Sequence, residues 1–204
     1  MLYRNLMADL PPEWPNDLLP AIQAEVNAAD TKVIVLDDDP TGTQTVHDVD
    51  VLTGWSVPEL QVALTDPQPL VYVLTNSRSL ARPAAVRLVC ELARNLQVAA
   101  RLVGRRFVIA SRSDSTLRGH YPAETDALMA VLGPFDGLLI VPFFLEGGRF
   151  TVDDVHYVTD GDCVLPVGET EFAHDSSFGY RSSNLCDWVQ ERTDGAVRSE
   201  AVRS

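Results

Sequence analysis

Lysine is almost missing from this chain. Lys32 is its one ammonium side chain in 204 residues, and the rest of the 16 Lys+Arg residues are arginines. Against 29 Asp+Glu they leave a formal net charge of -13, which argues against nucleic acid or an anionic membrane surface as the main partner. No apolar run is long enough to span a bilayer. Met1 to Asp9 lacks the basic-then-apolar order of a secretory signal. Cysteine is scarce as well. Cys90, Cys163 and Cys186 are odd in number and far apart with no CxxC spacing, so they read as reduced cytoplasmic thiols filling the core, not as disulfides or a zinc site. His47, His120, His156 and His174 show no mutual metal-ligand spacing, and no metal site is expected from them. There is no internal repeat.

What the chain does have is polar loops placed directly after apolar runs. Val33-Ile34-Val35-Leu36 leads into Asp37-Asp38-Asp39-Pro40-Thr41-Gly42-Thr43. Val71-Tyr72-Val73-Leu74 leads into Thr75-Asn76-Ser77-Arg78-Ser79, and Phe107-Val108-Ile109-Ala110 leads into Ser111 through His120. The apolar runs read as strands: Lys32 to Leu36, Val49 to Leu52, Leu70 to Leu74, Arg106 to Ala110 and Leu138 to Val141. Helices are predicted over Leu18 to Ala28, Pro58 to Leu64, Pro83 to Ala99 and Tyr121 to Leu132, with Pro122 in the first turn of the last. Strands alternating with helices imply βαβ units, so the expected fold is α/β: a mostly parallel, doubly wound sheet with helices on both faces. In such a sheet the loops after the strands gather on one edge, where ligands bind.

After Gly148 the period changes. Phe150-Thr151, Val155 to Val158 and Cys163 to Val167 read as strands, with a turn signal at Thr159-Asp160-Gly161-Asp162, and predict a C-terminal β-hairpin extension. Glu169 to His174 and Leu185 to Arg192 read as helices, and Thr193 to Ser204 as a polar tail without regular structure.

The loop chemistry is specific. Adjacent carboxylates at a strand end repel unless a cation, an arginine or a shared proton relieves them, so Asp37-Asp38-Asp39 fits a general base, a Mg²⁺ site or an acceptor for substrate hydroxyls. The bland alternative is an Asx turn or a helix cap. Arg78, Arg112, Arg118 and Arg149 stand in or beside strand-end loops, and a guanidinium holds carboxylate or phosphate through a planar fork of donors. Their alternative reading is a compositional preference for arginine with solvated side chains. His120, beside the third loop, is the histidine most worth testing.

Two resemblances follow from these residues. Asp37-x-Asp39-x-Thr41 after a strand resembles the nucleophile motif of haloacid dehalogenase-like phosphatases. There the first aspartate is phosphorylated and the second is the acid/base. Leu74-Thr75-Asn76 imitates their second motif, and Asp153-Asp154 stands where an acidic pair would be needed. The basic residue of their third motif has no lysine to fill it, because Lys32 precedes the nucleophile, so an arginine would have to substitute.

Read one residue later, Asp38-Asp39-Pro40-Thr41-Gly42 matches DDxTG, Thr75-Asn76-Ser77-Arg78 matches T-x-S-R, and Asp114 to Gly119 matches DSTLRG. In this order they resemble the four-carbon acid sugar kinase family, over roughly Thr31 to Tyr180. The resemblance implies phosphorylation of threonate, erythronate or 3-oxo-tetronate with ATP and Mg²⁺, the N-terminal domain holding the sugar acid and a C-terminal domain the nucleotide. Carried onto this chain, Asp38 and Asp39 are the expected catalytic residues. Thr41, Ser77, Arg78, Asp114, Ser115, Thr116, Arg118 and Gly119 are the expected substrate-binding residues, with Arg78 and Arg118 on the carboxylate. Relatives often carry lysine just before DSTLRG, where this chain has Arg112-Ser113. No GxxxxGK[ST] loop is present, and Gly147-Gly148 is the only glycine pair. The implied organisation is an N-terminal helical extension (1–30), a sugar-acid-binding domain (31–192) and the tail (193–204). The nucleotide-binding domain would be a separate partner, and this chain alone would be inactive.

Overall fold

The computed structural model describes residues 2–8, 10–44 and 46–204. They divide into two compact units. The larger comprises 14–113 and 123–136, the smaller 1–13, 114–122 and 137–204. The chain passes between the units after residues 13, 113, 122 and 136, and three of these four crossings fall within the span 31–192.

The larger unit is a parallel four-stranded sheet with helices. Its strands are β1 (Thr31–Asp37), β2 (Val51–Leu52), β3 (Leu70–Leu74) and β4 (Arg106–Arg112), in the order β2-β3-β1-β4. The register sets Asp37 opposite Leu74 on one side and Arg112 on the other, so both neighbouring loops start level with the end of β1. Ile34 and Leu36 of β1 and Val71 and Val73 of β3 face a core shared with α3 (Val57–Thr65), α4 (Arg82–Val103) and α5 (Ala123–Leu132). α4 carries Ala85, Val89, Leu92, Ala93, Leu96 and Ala100 as a buried stripe at helical spacing. It ends at Gly104, whose φ of 70° lets its N–H reach the Ala100 carbonyl, a left-handed cap that a Cβ would strain.

The single lysine is a core residue. Lys32 lies 1% exposed on the same side of β1 as Ile34, and its Nζ donates to the Asp66 and Gln68 carbonyls at 3.2 and 2.6 Å. Arg105 donates to the Leu64 and Asp66 carbonyls, so two cations satisfy the C-terminal end of α3. At its other end the Glu59 carboxylate accepts from the Ser56 N–H at 2.9 Å. α2 (Leu19–Ala29) forms as the spacing predicts but leaves Leu19, Ile22 and Val26 exposed.

The smaller unit holds α1 (Tyr3–Ala8) and an antiparallel sheet of β5 (Arg149–Val152), β6 (Val155–Asp160) and β7 (Cys163–Pro166). The expected hairpin is present, and β5 makes it a three-stranded sheet separate from the parallel one. Asp153 and Asp154 join β5 to β6 at φ 47° and 64°, the left-handed pair that a two-residue hairpin turn requires. α6 (Leu185–Arg192) is capped by the Asn184 Oδ1, which accepts from the Cys186 and Asp187 N–H groups. Leu117, Val158, Val167, Tyr180, Trp188 and Val189 form the core of this unit.

Several expectations need correction. Leu138 to Val141 forms no strand. Its backbone enters no ladder, and Leu138, Leu139 and Val141 are exposed. Apolar β-formers make a strand only where a neighbouring edge supplies hydrogen bonds. The residues 169–174 form short 3-10 helices (Val167–Glu169 and Glu171–His174) in place of one α-helix. Pro122 precedes α5, which starts at Ala123. The tail is not structureless: Ser199–Ala201 is a 3-10 turn tied to α6 by Ser199 N–H to the Gln190 Oε1, and Val202 packs on the core. Cys90 packs against the larger core as expected, whereas Cys163 is exposed.

Candidate functional site

In the larger unit the ends of β1, β3 and β4 are stitched together by backbone. The Thr75 N–H and Oγ1 both donate to the Asp37 carbonyl at 2.9 Å, the Arg78 N–H to the Asp38 carbonyl at 3.1 Å, and the Asp38 N–H to the Arg112 carbonyl at 3.3 Å. Residues more than 70 positions apart in sequence therefore share one loop cluster, as a parallel sheet demands.

Asp38 is its centre. The side chain is 4% exposed and accepts three donors: Arg78 Nε at 3.1 Å, Arg78 Nη2 at 2.5 Å and Ser113 Oγ at 2.7 Å. The two guanidinium bonds form a fork on one carboxylate. Removing the Arg78 partner from a carboxylate this buried would cost about 3–5 kcal/mol. Arg78 also reaches Asp39 Oδ2 at 3.4 Å.

Asp39 closes an Asx turn, its Oδ1 accepting from the Thr41 N–H at 2.8 Å and the Thr41 Oγ1 at 2.5 Å. Partial burial works to raise its pKa, but the Thr41 bonds and the Arg78 and Arg112 charges outweigh that and hold it below the ordinary carboxylate value. Thr41 itself is exposed. Ser77, by contrast, is fully buried, and its Oγ lies 3.2 Å from Thr75 Oγ1, within hydrogen-bond reach.

Asp37 points inward. It is 1% exposed, with Arg112 Nη1 at 3.3 Å, and burial raises its pKa despite that charge. The glycine of the DDxTG motif follows from this packing. A Cβ on Gly42 would lie 2.0 Å from both Asp37 carboxylate oxygens, so any larger residue would have to displace that side chain.

Asp114, Ser115, Thr116, Arg118 and Gly119 belong to the smaller unit, where they form a second cluster. Arg118 Nε donates to Asp114 Oδ2 at 2.6 Å and to Thr116 Oγ1 at 3.2 Å, and its Nη1 lies 3.7 Å from Asp175 Oδ2. The guanidinium covers the Phe172 ring at 5.1 Å. Thr116 is buried, and its hydroxyl donates to Asp114 Oδ2.

Two buried side chains and one half-buried arginine hold the backbone of this loop. His156 Nε2 meets the Ser115 carbonyl at 2.7 Å, the Tyr180 hydroxyl donates to the Thr116 carbonyl at 2.6 Å, and Arg192 Nη2 donates to the Gly119 carbonyl at 3.2 Å. The carbonyl contact fixes the proton on His156 Nε2, so its Nδ1 accepts from Thr151 Oγ1 at 2.9 Å. Leu117, between the held carbonyls, sits at φ 65°. The His156 pKa is lowered by burial, and the Tyr180 pKa is raised by burial and by Asp114.

Sequence reasoning passed over His156 and Arg192 as site residues. The available signal for His156 was its inward position in β6, alternating with Val158 on the buried side. His120 is buried edge-on against Phe178. The Gly147-Gly148 pair is filled by its own surroundings: a Cβ on Gly147 would meet Arg149 and Phe144, and one on Gly148 would meet Thr159. The pair opens onto β5, not onto a helix, and does not fit a phosphate cradle.

Comparison with known proteins gives a family and several relatives. A sugar-binding N-terminal domain family matches residues 33–204. The D-erythronate kinase of Heliobacterium modesticaldum is 28% identical over 173 residues, covering 82% of this chain and 37% of the relative. The D-threonate kinase of Bordetella bronchiseptica is 34% identical over 149 residues, 69% of this chain and 35% of the relative. The chain thus spans little over a third of the length of these relatives. Among solved structures, a domain of unknown function from Bordetella bronchiseptica, a domain-swapped dimer with bound citrate, superposes with a TM-score of 0.57 at 29% identity. That match covers 78% of this chain and 40% of the other. A Haemophilus influenzae protein shares the fold at a TM-score of 0.55 and 18% identity, over 78% of this chain and 38% of its own. On these grounds the chain belongs to the four-carbon acid sugar kinase family, through its sugar-binding N-terminal domain.

Proposed function

We propose that this chain is the sugar-acid-binding part of an ATP-dependent kinase acting on four-carbon sugar acids of the erythronate and threonate type. The observation that carries the reading is Asp38, a buried carboxylate oriented by three donors at a strand end. It lies in a stretch similar to a D-erythronate kinase and a D-threonate kinase. Citrate bound to a structural relative is consistent with a carboxylate ligand.

In this reading Asp38 is the base. Three donors occupy three of the roughly four lone-pair positions on a carboxylate, leaving one on Oδ1 for the hydroxyl that attacks the phosphoryl group. Arg78 and Ser113 keep that oxygen aimed, and a base so placed contributes about a hundred- to ten-thousand-fold. Asp39 and Thr41 shape the loop around it. In the smaller unit, Asp114, Ser115, Thr116, Arg118 and Gly119 form a loop whose carbonyls are held by side chains, and the family motif gives these residues a substrate-binding role. ATP and Mg²⁺ would be bound mainly by the part of the relatives that this chain does not cover; among the described residues the one glycine pair, Gly147-Gly148, does not fit a phosphate cradle. When bound there, they supply the phosphoryl group and neutralise its charge.

The phosphatase alternative needs Asp37 as nucleophile, and that side chain is buried beneath Gly42. Calorimetric titration of the chain with D-erythronate and D-threonate tests the proposal. Binding of either, with no hydrolysis of p-nitrophenyl phosphate in Mg²⁺, is the expected result. Failure to bind any four-carbon sugar acid, or Mg²⁺-dependent hydrolysis lost in Asp37→Asn, would defeat it.

A further inference from the structure

We infer that Arg112 receives the substrate carboxylate, and that Arg78 is a positioning residue for Asp38. The inference rests on the sugar-acid reading above and reassigns the role that the motif pattern gives to Arg78 and Arg118.

A guanidinium can receive a ligand only with donors not already committed. Arg78 spends Nε and Nη2 on Asp38 and Nη1 on Asp39, with its side chain 18% exposed. It cannot turn to a ligand without leaving a buried carboxylate uncompensated. Arg118 is committed to Asp114, Thr116 and Asp175 and lies over Phe172. Arg149 lies over the Phe144 and Phe172 rings with its Nε buried and without a hydrogen-bond partner, and it belongs to the smaller unit, not to the loop cluster of Asp38.

Arg112 differs from Arg78 and Arg118. Its side chain is 34% exposed, and its one polar contact among the described residues is Nη1 to Asp37 Oδ1 at 3.3 Å. Nε and Nη2 keep their hydrogens for an incoming anion, which is the edge of the fork that grips a carboxylate with two parallel bonds. Placement supports the same role. Arg112 ends β4 beside the end of β1, and its Nη1 reaches Asp37, the residue directly before Asp38. An acid gripped by Arg112 would lie next to the carboxylate proposed to take its hydroxyl proton, whereas one gripped by Arg78 would displace that carboxylate from its partner.

Titration calorimetry with D-erythronate and its uncharged amide, D-erythronamide, separates the carboxylate contact from the hydroxyl contacts. Arg112→Gln is expected to weaken D-erythronate binding about 10- to 100-fold, the value of a charge-assisted fork, while leaving the amide within about twofold. Arg112→Lys, which keeps the charge and loses the fork, should fall between, and the exposed Arg94→Gln should match the wild type. Unchanged acid binding in Arg112→Gln and Arg112→Lys, or an equal loss for acid and amide, would overturn the inference and leave the sugar-acid reading standing. A wild-type chain that binds neither compound would defeat the reading and this inference together. Should Arg112→Gln not fold, as judged by its melting transition, Arg112→Lys decides alone, and an unweakened acid affinity there counts against the proposal.

Discussion

Asp38 and Arg78 illustrate how the value of a charged residue depends on what it already holds. Because Asp38 is buried and forked by Arg78, Arg78→Gln should lower unfolding stability by about 3–5 kcal/mol, measured by urea denaturation. Arg78→Gln combined with Asp38→Asn should recover part of that loss, since the uncompensated charge is gone. A surface arginine pair would show almost no such coupling.

His156 makes a prediction of opposite character. Burial lowers its folded pKa below the ordinary value near 6.5, so below that value the unfolded chain binds the extra proton. Stability from neutral His156 is therefore fully present above about pH 6.5 and drains as pH falls toward the folded pKa. His156→Gln should flatten the slope of stability against pH in that window, and an unchanged slope would show that His156 is not the titrating group. Asp37 runs the other way. Its folded pKa is raised, so its contribution is greatest below the ordinary carboxylate value and diminishes as pH rises through the folded pKa.

At the scale of elements, two glycines with different surroundings should respond differently to alanine. Gly104→Ala meets nothing within 4 Å and suffers only the left-handed backbone, worth about 1 kcal/mol. Gly42→Ala drives a methyl to 2.0 Å from a buried carboxylate, so displacement of the Asp37 loop should cost about 1–3 kcal/mol and weaken sugar-acid binding. Melting temperatures and calorimetry on the two variants distinguish local backbone strain from a disturbed site.

The elements also show what sequence patterns can and cannot carry. β3 and α6 match their predicted limits, because Leu70 to Leu74 and Leu185 to Arg192 are bounded by turn and capping residues that act locally. α4 runs on to Val103 because its stop signal is Gly104, and β4 runs on to Arg112 because pairing with β1 holds polar residues in the ladder. Leu138 to Val141 fails for the converse reason: the composition is right for a strand, but no edge pairs with it.

For the whole molecule, the family relationship covers little over a third of the D-erythronate and D-threonate kinase relatives, so binding and turnover should separate. The chain alone is expected to bind the sugar acid weakly and to show no ATP-dependent phosphorylation. Adding the remaining part of a family kinase should restore turnover, lowered about a hundred- to ten-thousand-fold by Asp38→Asn. Coupled-assay activity in the chain by itself would contradict this. No helix among the described residues is long and apolar enough to cross a membrane.

The order of polar loops after apolar runs, the DDxTG and DSTLRG motifs and the resulting α/β class were all present in the linear chain, because strand periodicity and loop chemistry are local properties. Which guanidinium is committed and which is open was not. Arg78 and Asp38 are 40 positions apart, and Arg112 and Asp37 are 75 apart. A contact of that range exists only once the sheet register brings strand ends level, and a fork closes over distances of an ångström that no residue pattern encodes.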